Sequence, residues 1–282
     1  MRNARGFTLI EIVVVMAIMG FLVAMAAMAA RAIASSQRRA VTTTRLASVD
    51  AALLQFVMVQ KRLPCPADGS VASGGVNAGV EGAHDNSGCT NNQAKGVVPW
   101  TTLGITEADA TDGWDRRFTY RIDPTLAASS AMDMSYCDPA GSGVVYTSPP
   151  PRCNPACGAA NLTLCTTPQA FLTGKGLKVQ NTGGTLVAMD PNATPATGAA
   201  YVVISHGESG GGAYLGSGQL SSSTSTDGTG EYNNYADQPL GGHYVEDSIS
   251  DVAGASHFDD ILSRPTILTV INKAALGPRS HL

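Results

Sequence analysis

The sequence predicts an α+β fold in which one long N-terminal helix packs on a small antiparallel sheet with disulfide-tied loops. Three observations predict it. Residues 24–62 contain neither Gly nor Pro and follow an apolar run, so one helix should extend from the N-terminus to Leu63-Pro64. Segments 118–122 and 200–206 have the composition of strands. Six cysteines lie in the Gly- and Pro-rich part that follows the helix.

The two parts of the chain differ in charge. Residues 1–62 hold eight basic and two acidic residues, a net charge of +6, whereas residues 63–282 hold ten basic and 20 acidic residues, a net charge of −10. Apolar residues make up 44% of the chain, which argues against full disorder. The apolar N-terminus and the cysteines argue against a simple cytosolic enzyme. Outside the helix the basic residues cluster only at 116–121, so we expect no nucleic-acid partner.

The apolar N-terminal run, residues 7–30, has only Thr8 and Glu11 as polar members. As a helix it would cover roughly 36 Å, more than the ~30 Å hydrocarbon core of a bilayer. It is longer than the apolar region of a secretory signal peptide, which is usually about 7–15 residues. An ionised Glu inside an apolar helix costs about 2–3 kcal/mol or more, so Glu11 needs a partner in the membrane or in an assembly.

The residues around Glu11 form a motif. The stretch Gly6-Phe-Thr-Leu-Ile-Glu, behind a short leader with Arg2 and Arg5, resembles the G-F-T-L-x-E signature of type IV prepilins and type II secretion pseudopilins. The resemblance implies cleavage between Gly6 and Phe7 by a prepilin peptidase and N-methylation of Phe7. It also implies that Glu11 pairs with the Phe7 ammonium of a neighbouring subunit. An ordinary single-pass membrane anchor is the alternative.

The resemblance also implies a pilin-like organisation. The expected parts are a cleaved leader (1–6), a transmembrane and filament-core helix (7–30), a helix continuation on the head (31–63) and a periplasmic or extracellular head (64–282). The protein would be a structural subunit without enzymatic activity. Its expected partners are the prepilin peptidase and N-methyltransferase, other pilin or pseudopilin subunits, the inner-membrane assembly platform and the lipid bilayer.

The expected location is the inner membrane, with one span and a periplasmic head, and then a pilus or pseudopilus filament. Four arginines, at 31, 38, 39 and 45, follow the span, and a charge count alone would favour the reverse orientation. The family resemblance and the cysteines favour the periplasmic head. Many type IV pilins have a Pro in the middle of the apolar helix, and its absence here favours a minor pilin or a pseudopilin.

The outer half of the helix should pack on the head through one stripe. Apolar and long side chains recur there at i, i+3/i+4 and i+7, as expected for a helix that lies against a globular body. The residues of this predicted stripe are Val41, Leu46, Val49, Leu53, Phe56, Val57 and Gln60.

The six cysteines point to disulfides in an oxidising compartment. Six cysteines allow 15 pairings, and we favour Cys65 with Cys89, which would close a loop of about 25 residues and add roughly 3 kcal/mol. A zinc site in the second cluster is the alternative, but that cluster has no His and no paired C-x-x-C units. The members of the second cluster are Cys137, Cys153, Cys157 and Cys165.

Residues 112–122 read DGWDRRFTYRI and resemble the D-P-W-G-x-P-Y-x-Y stretch of pseudopilin heads. Gly113 stands where the family has Pro, and Asp115 stands where it has Gly. We expect the Trp and the Tyr to be core anchors and Arg116 and Arg117 to be solvated. The residues in matching order are Asp112, Trp114, Phe118 and Tyr120.

A strand at 200–206 is followed by Gly207-Glu-Ser-Gly-Gly, which fits the G-x-S-x-G pattern of a nucleophile elbow. His206 and Ser209 would then be the nominees for hydrolase chemistry. An elbow must lead into a helix, whereas a Ser/Thr/Gly tract follows here, so a tight turn is the favoured interpretation. The segment resembles the S-H-G-x-x-G-x-G-A turn of large pilin-like proteins. A membrane-tethered periplasmic enzyme or a tip adhesin remains the alternative function.

The polar stretch 216–256 and the residues after it are acidic. Carboxylates in a loop suit Ca²⁺, and major pseudopilins bind calcium just before their final strand. No EF-hand pattern is present, so a solvated acidic loop is the default, and we expect no other cofactor. The calcium candidates are Asp247, Asp251, Asp259 and Asp260.

Overall fold

The computed structural model describes residues 9–90, 96–147, 151–222, 228–235 and 242–281. Helix α1 runs Leu9–Gln60, which is 52 residues, about 78 Å of helix. It confirms the predicted long N-terminal helix. The chain leaves the helix at Lys61, which adopts a left-handed conformation at φ 56°, shortly before Pro64.

Short elements make up the head, which we define as residues 64–282. Four further α-helices are described: α2 Trp100–Leu103, α3 Pro168–Leu172, α4 Thr229–Tyr232 and α5 Ile267–Lys273. Three short 3₁₀ helices, Glu107–Ala110, Pro124–Ala127 and Leu162–Leu164, are described as well. The described strands are β1 Ala67–Asp68, β2 His84–Asp85, β3 Gly88–Cys89, β4 Gly96–Val97, β5 Arg116–Arg117, β6 Thr119–Ile122, β7 Val179–Gln180, β8 Val187–Met189, β9 Tyr201–Ser205, β10 Tyr214–Leu215, β11 Tyr244–Val245 and β12 Ile261–Ser263.

The central sheet has the strand order β1-β4-β6-β9-β12, and its neighbouring strands are antiparallel. This five-stranded sheet confirms the predicted α+β fold. The longest pairing joins β6 to β9, from Thr119 opposite Ile204 to Ile122 opposite Tyr201. Smaller sheets pair β2 with β3, β5 with β10, and β7 with β8 and β11.

The two faces of the central sheet have different covers. Alternate residues of β6 and β9, such as Tyr120 and Val203, belong to the same buried cluster as the helix stripe of α1. The β9 residues on the opposite face, Val202 and Ile204, pack in a second cluster with Tyr244 and other residues of the β7-β8-β11 sheet. The sheet therefore lies between α1 and the β7-β8-β11 layer.

The buried face of α1 is close to the predicted stripe. Leu46, Val49, Leu53 and Val57 are buried as expected, but Val41 is 43% exposed and the buried position is Thr42. Gln60 is also exposed and Phe56 is half-buried. The prediction was wrong at Val41 because it assigned apolar residues to the buried stripe. Thr42 is buried instead, since its hydroxyl accepts a hydrogen bond from the head.

All six cysteines form disulfides: Cys65–Cys89, Cys137–Cys153 and Cys157–Cys165. The favoured pairing is therefore confirmed. The first disulfide ties the chain just after α1 to β3. The other two close the Pro-rich segment between β6 and α3.

The turn at residues 112–115 touches the backbone of α1. The Gly113 N–H donates to the Thr42 hydroxyl at 2.9 Å, and Arg45 donates to the Asp112 carbonyl at 2.8 Å. A β-carbon on Gly113 would lie 2.3 Å from the Arg38 carbonyl oxygen, so a side chain there would force the turn or the helix to move. This contact explains why the position carries no side chain.

Asp115 accounts for the second departure from the pseudopilin motif. It adopts φ 62°, in the left-handed region that favours Gly and that Asp tolerates better than most residues. The turn therefore keeps the backbone shape that a Gly would provide.

We expect Gly113→Ala to lower the free energy of unfolding by about 1–3 kcal/mol, because the added methyl group must push the turn off α1. The thermal unfolding midpoint of the full chain in detergent micelles measures the effect.

Gly158→Ala is the matched control, since a β-carbon there has no atom within 4 Å and the residue has no left-handed φ. Equal midpoints for the two variants would contradict the close approach of the turn to α1.

Candidate functional site

The N-terminal half of α1 presents an uncovered apolar surface. Leu9 is 82% exposed and Met28 is 64% exposed, and the large apolar side chains between them are exposed as well. The helix is long and apolar enough to cross a membrane, and its most apolar window has no contact with the described part of the head that would bury it. A surface of this kind is unstable in water, so it must lie in lipid or against other protein.

Glu11 lies in the first described turn of α1, on this exposed surface. It is the one acidic residue that the sequence places between Leu9 and Val49. The predicted cleavage-site residues, Gly6 and Phe7, lie outside the described residues. Their predicted roles therefore stay predictions.

A carboxyl group joins α1 to two strands of the central sheet. Asp50 accepts a hydrogen bond from the Tyr201 hydroxyl at 2.9 Å and one from the Ser263 hydroxyl at 2.6 Å. Burial raises the pKa of Asp50, and the two hydroxyl donors and the Lys273 ammonium only partly oppose that effect. The helix and the head therefore meet at a polar contact that is sensitive to protonation.

Asp112, the first residue of the pseudopilin-like motif, organises the turn that follows it. Its carboxylate accepts from the N–H groups of Trp114 and Arg116 at 2.8 and 3.0 Å, and from the Ser205 hydroxyl at 2.8 Å. Burial raises the pKa of this carboxyl group despite these donors. The motif thus fixes the turn that contacts α1 and links it to β9.

The aromatic residues of the motif lie mostly in the core. Tyr120 and Phe118 are fully buried, and the Tyr120 hydroxyl donates to the Pro64 carbonyl at 3.2 Å. Trp114 is only half-buried, so its predicted place as a core anchor holds in part.

The prediction that Arg116 and Arg117 are solvated was wrong. Arg117 is 1% exposed, pairs with Glu107 at 2.6 Å and stacks 4.8 Å from the Trp100 ring centre. It also donates to the carbonyls of residues 69 and 71. Arg116 is half-buried and donates to the Gly207 carbonyl at 2.6 Å. The Arg117 guanidinium can be buried because loop carbonyls and the Glu107 carboxylate accept hydrogen bonds from its N–H groups.

The residues nominated for hydrolase chemistry do not form a nucleophile–base pair. The Ser209 hydroxyl donates to Asp259 at 2.9 Å, and its contact with His206 is to the backbone carbonyl. The His206 ring points elsewhere, with Nε2 2.7 Å from the Thr119 hydroxyl and Nδ1 3.8 Å from Asp260. This geometry gives no support to the enzyme alternative.

The glycine-rich segment after β9 is instead a capped turn. The Asp259 carboxylate accepts from the N–H groups of Glu208 and Ser209, each at 2.8 Å, as well as from the Ser209 hydroxyl. Gly207 has φ 55°, and a β-carbon there would lie 2.4 Å from the Asp259 carbonyl oxygen. The turn needs glycine because it packs directly on the segment before β12.

Among the described residues, no cluster of three possible metal ligands contains more than one of the four calcium candidates, although Asp251 and Asp259 line the same surface cavity. Asp259 caps the glycine-rich turn, and Asp260 accepts from the Asn234 side chain at 2.7 Å. Asp247 lies at the surface, where it accepts from the Thr182 N–H at 3.1 Å. Asp251, also at the surface, faces Arg39 at 3.8 Å. Each carboxylate therefore has its own partner in the protein.

The sequence did not identify a cluster of possible metal ligands in which Asp259 is joined by Glu231 and His257. Glu231, His257 and Asp259 place one potential ligand atom each within 4.8 Å of one another. Glu231 also accepts from the N–H groups of Gly228 and Asp259 at 2.7 and 2.8 Å, and burial raises its pKa. Glu231 lies in α4, and His257 and Asp259 lie in a loop 26 and 28 positions later, so no local spacing pattern could have identified the three residues.

The geometry above can be compared with known proteins. Residues 1–27 match the family described as the prokaryotic N-terminal methylation motif, which is the type IV prepilin and pseudopilin signature. The chain therefore carries this signature on a pilin-like α+β architecture, as the sequence predicted. No curated protein and no solved structure matches the chain.

The raised pKa of Asp50 predicts a pH effect. Ionising this carboxyl group costs free energy in the folded state, so its contribution to stability is complete below the unfolded pKa of about 3.9 and is lost as the pH rises through the folded pKa. Asp50→Asn cannot ionise and therefore does not lose this contribution. We expect the unfolding midpoint of Asp50→Asn, relative to that of the wild type, to be higher at about pH 7 than at about pH 4. Thermal unfolding in detergent micelles at both pH values measures the difference.

Tyr201→Phe is the matched control, because it keeps the carboxyl group and removes one donor to it. We expect its midpoint to fall more than that of the wild type over the same range. Parallel pH profiles for all three proteins would contradict a protonation-sensitive contact.

Proposed function

We propose that the protein is the precursor of a minor subunit of a type IV pilus or a type II secretion pseudopilus. The observation that carries this proposal is the combination of the methylation motif with a long apolar helix that the head leaves uncovered. A helix of this kind can be held first by lipid and then by the equivalent helices of other subunits, which are equally apolar. The function of the chain is then assembly into a filament, and the reactions in this proposal are the cleavage and methylation that other enzymes carry out on it.

The proposed maturation begins at the leader. A prepilin peptidase cleaves between Gly6 and Phe7, and an N-methyltransferase methylates Phe7. The helix from Phe7 to Ala30 stays in the inner membrane with the head in the periplasm. Three disulfides support this orientation, because such bonds persist in oxidising compartments. An assembly platform then transfers the subunit into the filament.

Glu11 has a specific role in this proposal. In an apolar filament core its carboxylate needs a cation, and the ammonium group of Phe7 on a neighbouring subunit provides one. Pairing would neutralise both charges and fix the axial register of the helices. The exposed position of Glu11 on α1 is compatible with a partner on another subunit.

Mass spectrometry of the protein from its own membrane tests the maturation step. We expect a mature chain that begins at Phe7 and carries one added methyl group, and we expect Gly6→Leu to leave the leader attached. A wild-type chain that still begins at Met1 would contradict prepilin processing.

A substitution at Glu11 tests assembly separately. We expect Glu11→Gln to be cleaved and inserted normally but to enter sheared filaments about ten-fold less or worse, since removing one partner of a buried ion pair costs about 3–5 kcal/mol. Quantitative immunoblots of filament and membrane fractions measure the ratio.

Asp85→Asn, which removes an exposed carboxylate of the head, is the control and should assemble like the wild type. Normal incorporation of Glu11→Gln would overturn the proposed ion pair. Loss of secretion or loss of surface pili in the variant strain separates the two filament systems.

A further inference from the structure

Glu231, His257 and Asp259 form a compact group of nitrogen and oxygen ligand atoms in the head. Glu231 is 2% exposed and Asp259 is 4% exposed, and the side chain of His257 is 12% exposed. Nδ1 of His257 lies 3.0 and 3.2 Å from the two carboxylate oxygens of Glu231. One ligand atom of Asp259 lies within 4.8 Å of both partners. Two buried carboxylates therefore share their surroundings with one imidazole.

Basic side chains do not balance the charge of this group. Within the part of the chain that the structure describes, Glu231 forms an ion pair only with His257, and Asp259 forms none. Burial raises the pKa of Glu231, and contact with the Asp259 carboxyl group raises it further. Because a buried charge without a partner is costly, the group favours one more cation, either a proton or a metal ion.

The two carboxylates are held in place by hydrogen-bond donors and still have room for an ion. Glu231 accepts from the N–H groups of Gly228 and Asp259, and Asp259 accepts three hydrogen bonds from the glycine-rich turn. A carboxylate has about four lone-pair sites, so each of the two keeps at least one beyond these donors. Donors of this kind hold metal-binding carboxylates in a fixed orientation.

The spacing within the group fits the coordination of one ion. Two ligands that bind Zn²⁺ at about 2.0–2.1 Å in a tetrahedral arrangement lie about 3.3–3.4 Å apart. His257 and Glu231 are already close to this separation, at 3.0–3.2 Å. The longest separation, 4.8 Å or less, requires side-chain shifts of about 1.5 Å at most to close the group around an ion.

An open cavity lies beside the group and provides a path from the solvent. Its volume is about 360 Å³, and its lining includes His257 and Asp259 together with mostly polar residues. A metal ion can therefore enter from this side, where a water molecule can act as a further ligand.

The ligand types indicate which metal the group would bind. Ca²⁺ takes six to eight oxygen ligands, whereas an imidazole nitrogen with carboxylate oxygens suits Zn²⁺ and related transition metals. All six cysteines are in disulfides, so no thiolate is available to favour a softer ion.

We propose that Glu231, His257 and Asp259 bind one Zn²⁺ ion, with a water molecule from the cavity as the fourth ligand. The ion would tie α4 to the segment before β12, whose Asp259 caps the glycine-rich turn. The site differs from an oxygen-only calcium site by its nitrogen ligand. It does not depend on the proposed assembly, because all three ligands lie in the head.

Isothermal titration tests the site. Full-length protein in detergent micelles is freed of metal with EDTA, dialysed and titrated with ZnCl₂ at about pH 7.5, where imidazole is neutral. We expect the wild type to bind one zinc ion per chain. His257→Gln and Glu231→Gln should each bind it at least about ten-fold more weakly.

His84→Gln is the matched control, because it removes an exposed imidazole outside the group. It should bind zinc like the wild type. A wild type that binds no zinc, or that binds it no better than both ligand variants, would overturn the proposed site. Equal weakening in His84→Gln would also overturn it, since the ion would then be adventitious and held by surface imidazoles.

Thermal unfolding provides a second measurement. Zinc at about 100 times its Kd should raise the wild-type midpoint by about 5–10 °C, and EDTA should reverse the rise. His257→Gln and Glu231→Gln should show no such rise, and their midpoints in EDTA verify that they are folded. A parallel titration with CaCl₂ separates the two metals, because calcium that binds more tightly than zinc would contradict the nitrogen ligand.

Discussion

One helix has to meet two different surroundings, and the rest of the structure depends on this constraint. From Leu9 to Ala34 the side chains of α1 are exposed and mostly apolar, whereas from Thr42 onward only one stripe is buried. The head therefore packs against the helix along that stripe alone. The central sheet turns the Tyr120 and Val203 face toward it. Polar residues at the edges of this interface form hydrogen bonds with Tyr201 of the sheet and Gly113 of the 112–115 turn.

The sequence was sufficient where structure is local or where a motif is contiguous. The long helix and its apolar half were predicted, because helix formers and hydropathy act over short stretches. The pairing of Cys65 with Cys89 was a favoured choice among 15 that the sequence could not decide. Arg117 was misjudged because its acceptors come from loops about 45 residues before it. The Glu231 and His257 group was missed for the same reason. Long-range pairing of polar groups leaves no periodic signal in a sequence.

The interior of the head contains buried charged side chains, among them Asp112, Arg117 and Asp259, and the short strands explain their presence. Strands of two to five residues supply few backbone hydrogen-bond partners. Carboxylates such as those of Asp112 and Asp259 therefore accept hydrogen bonds from the N–H groups of the turns. Each of these carboxylates holds a turn that packs against another element, α1 in one case and the segment before β12 in the other. Disulfides and capped turns thus replace the regular hydrogen bonding that longer strands would provide.

The two ends of the interface between α1 and the head are fastened differently. At the end nearest the apolar half of α1, Gly113 lies directly on the Arg38 backbone. At the far end Arg62, two residues beyond α1, forms a two-pronged ion pair with Glu81 at 2.8 and 2.9 Å. These fastenings are 24 residues apart, and the helical part of that span, residues 38–60, covers about 33 Å along the axis. In the membrane insertion proposed above, a force that pulls the subunit along its helix out of the bilayer would load the whole interface in shear. Contacts loaded in this way share the force, whereas contacts peeled from one end break in sequence.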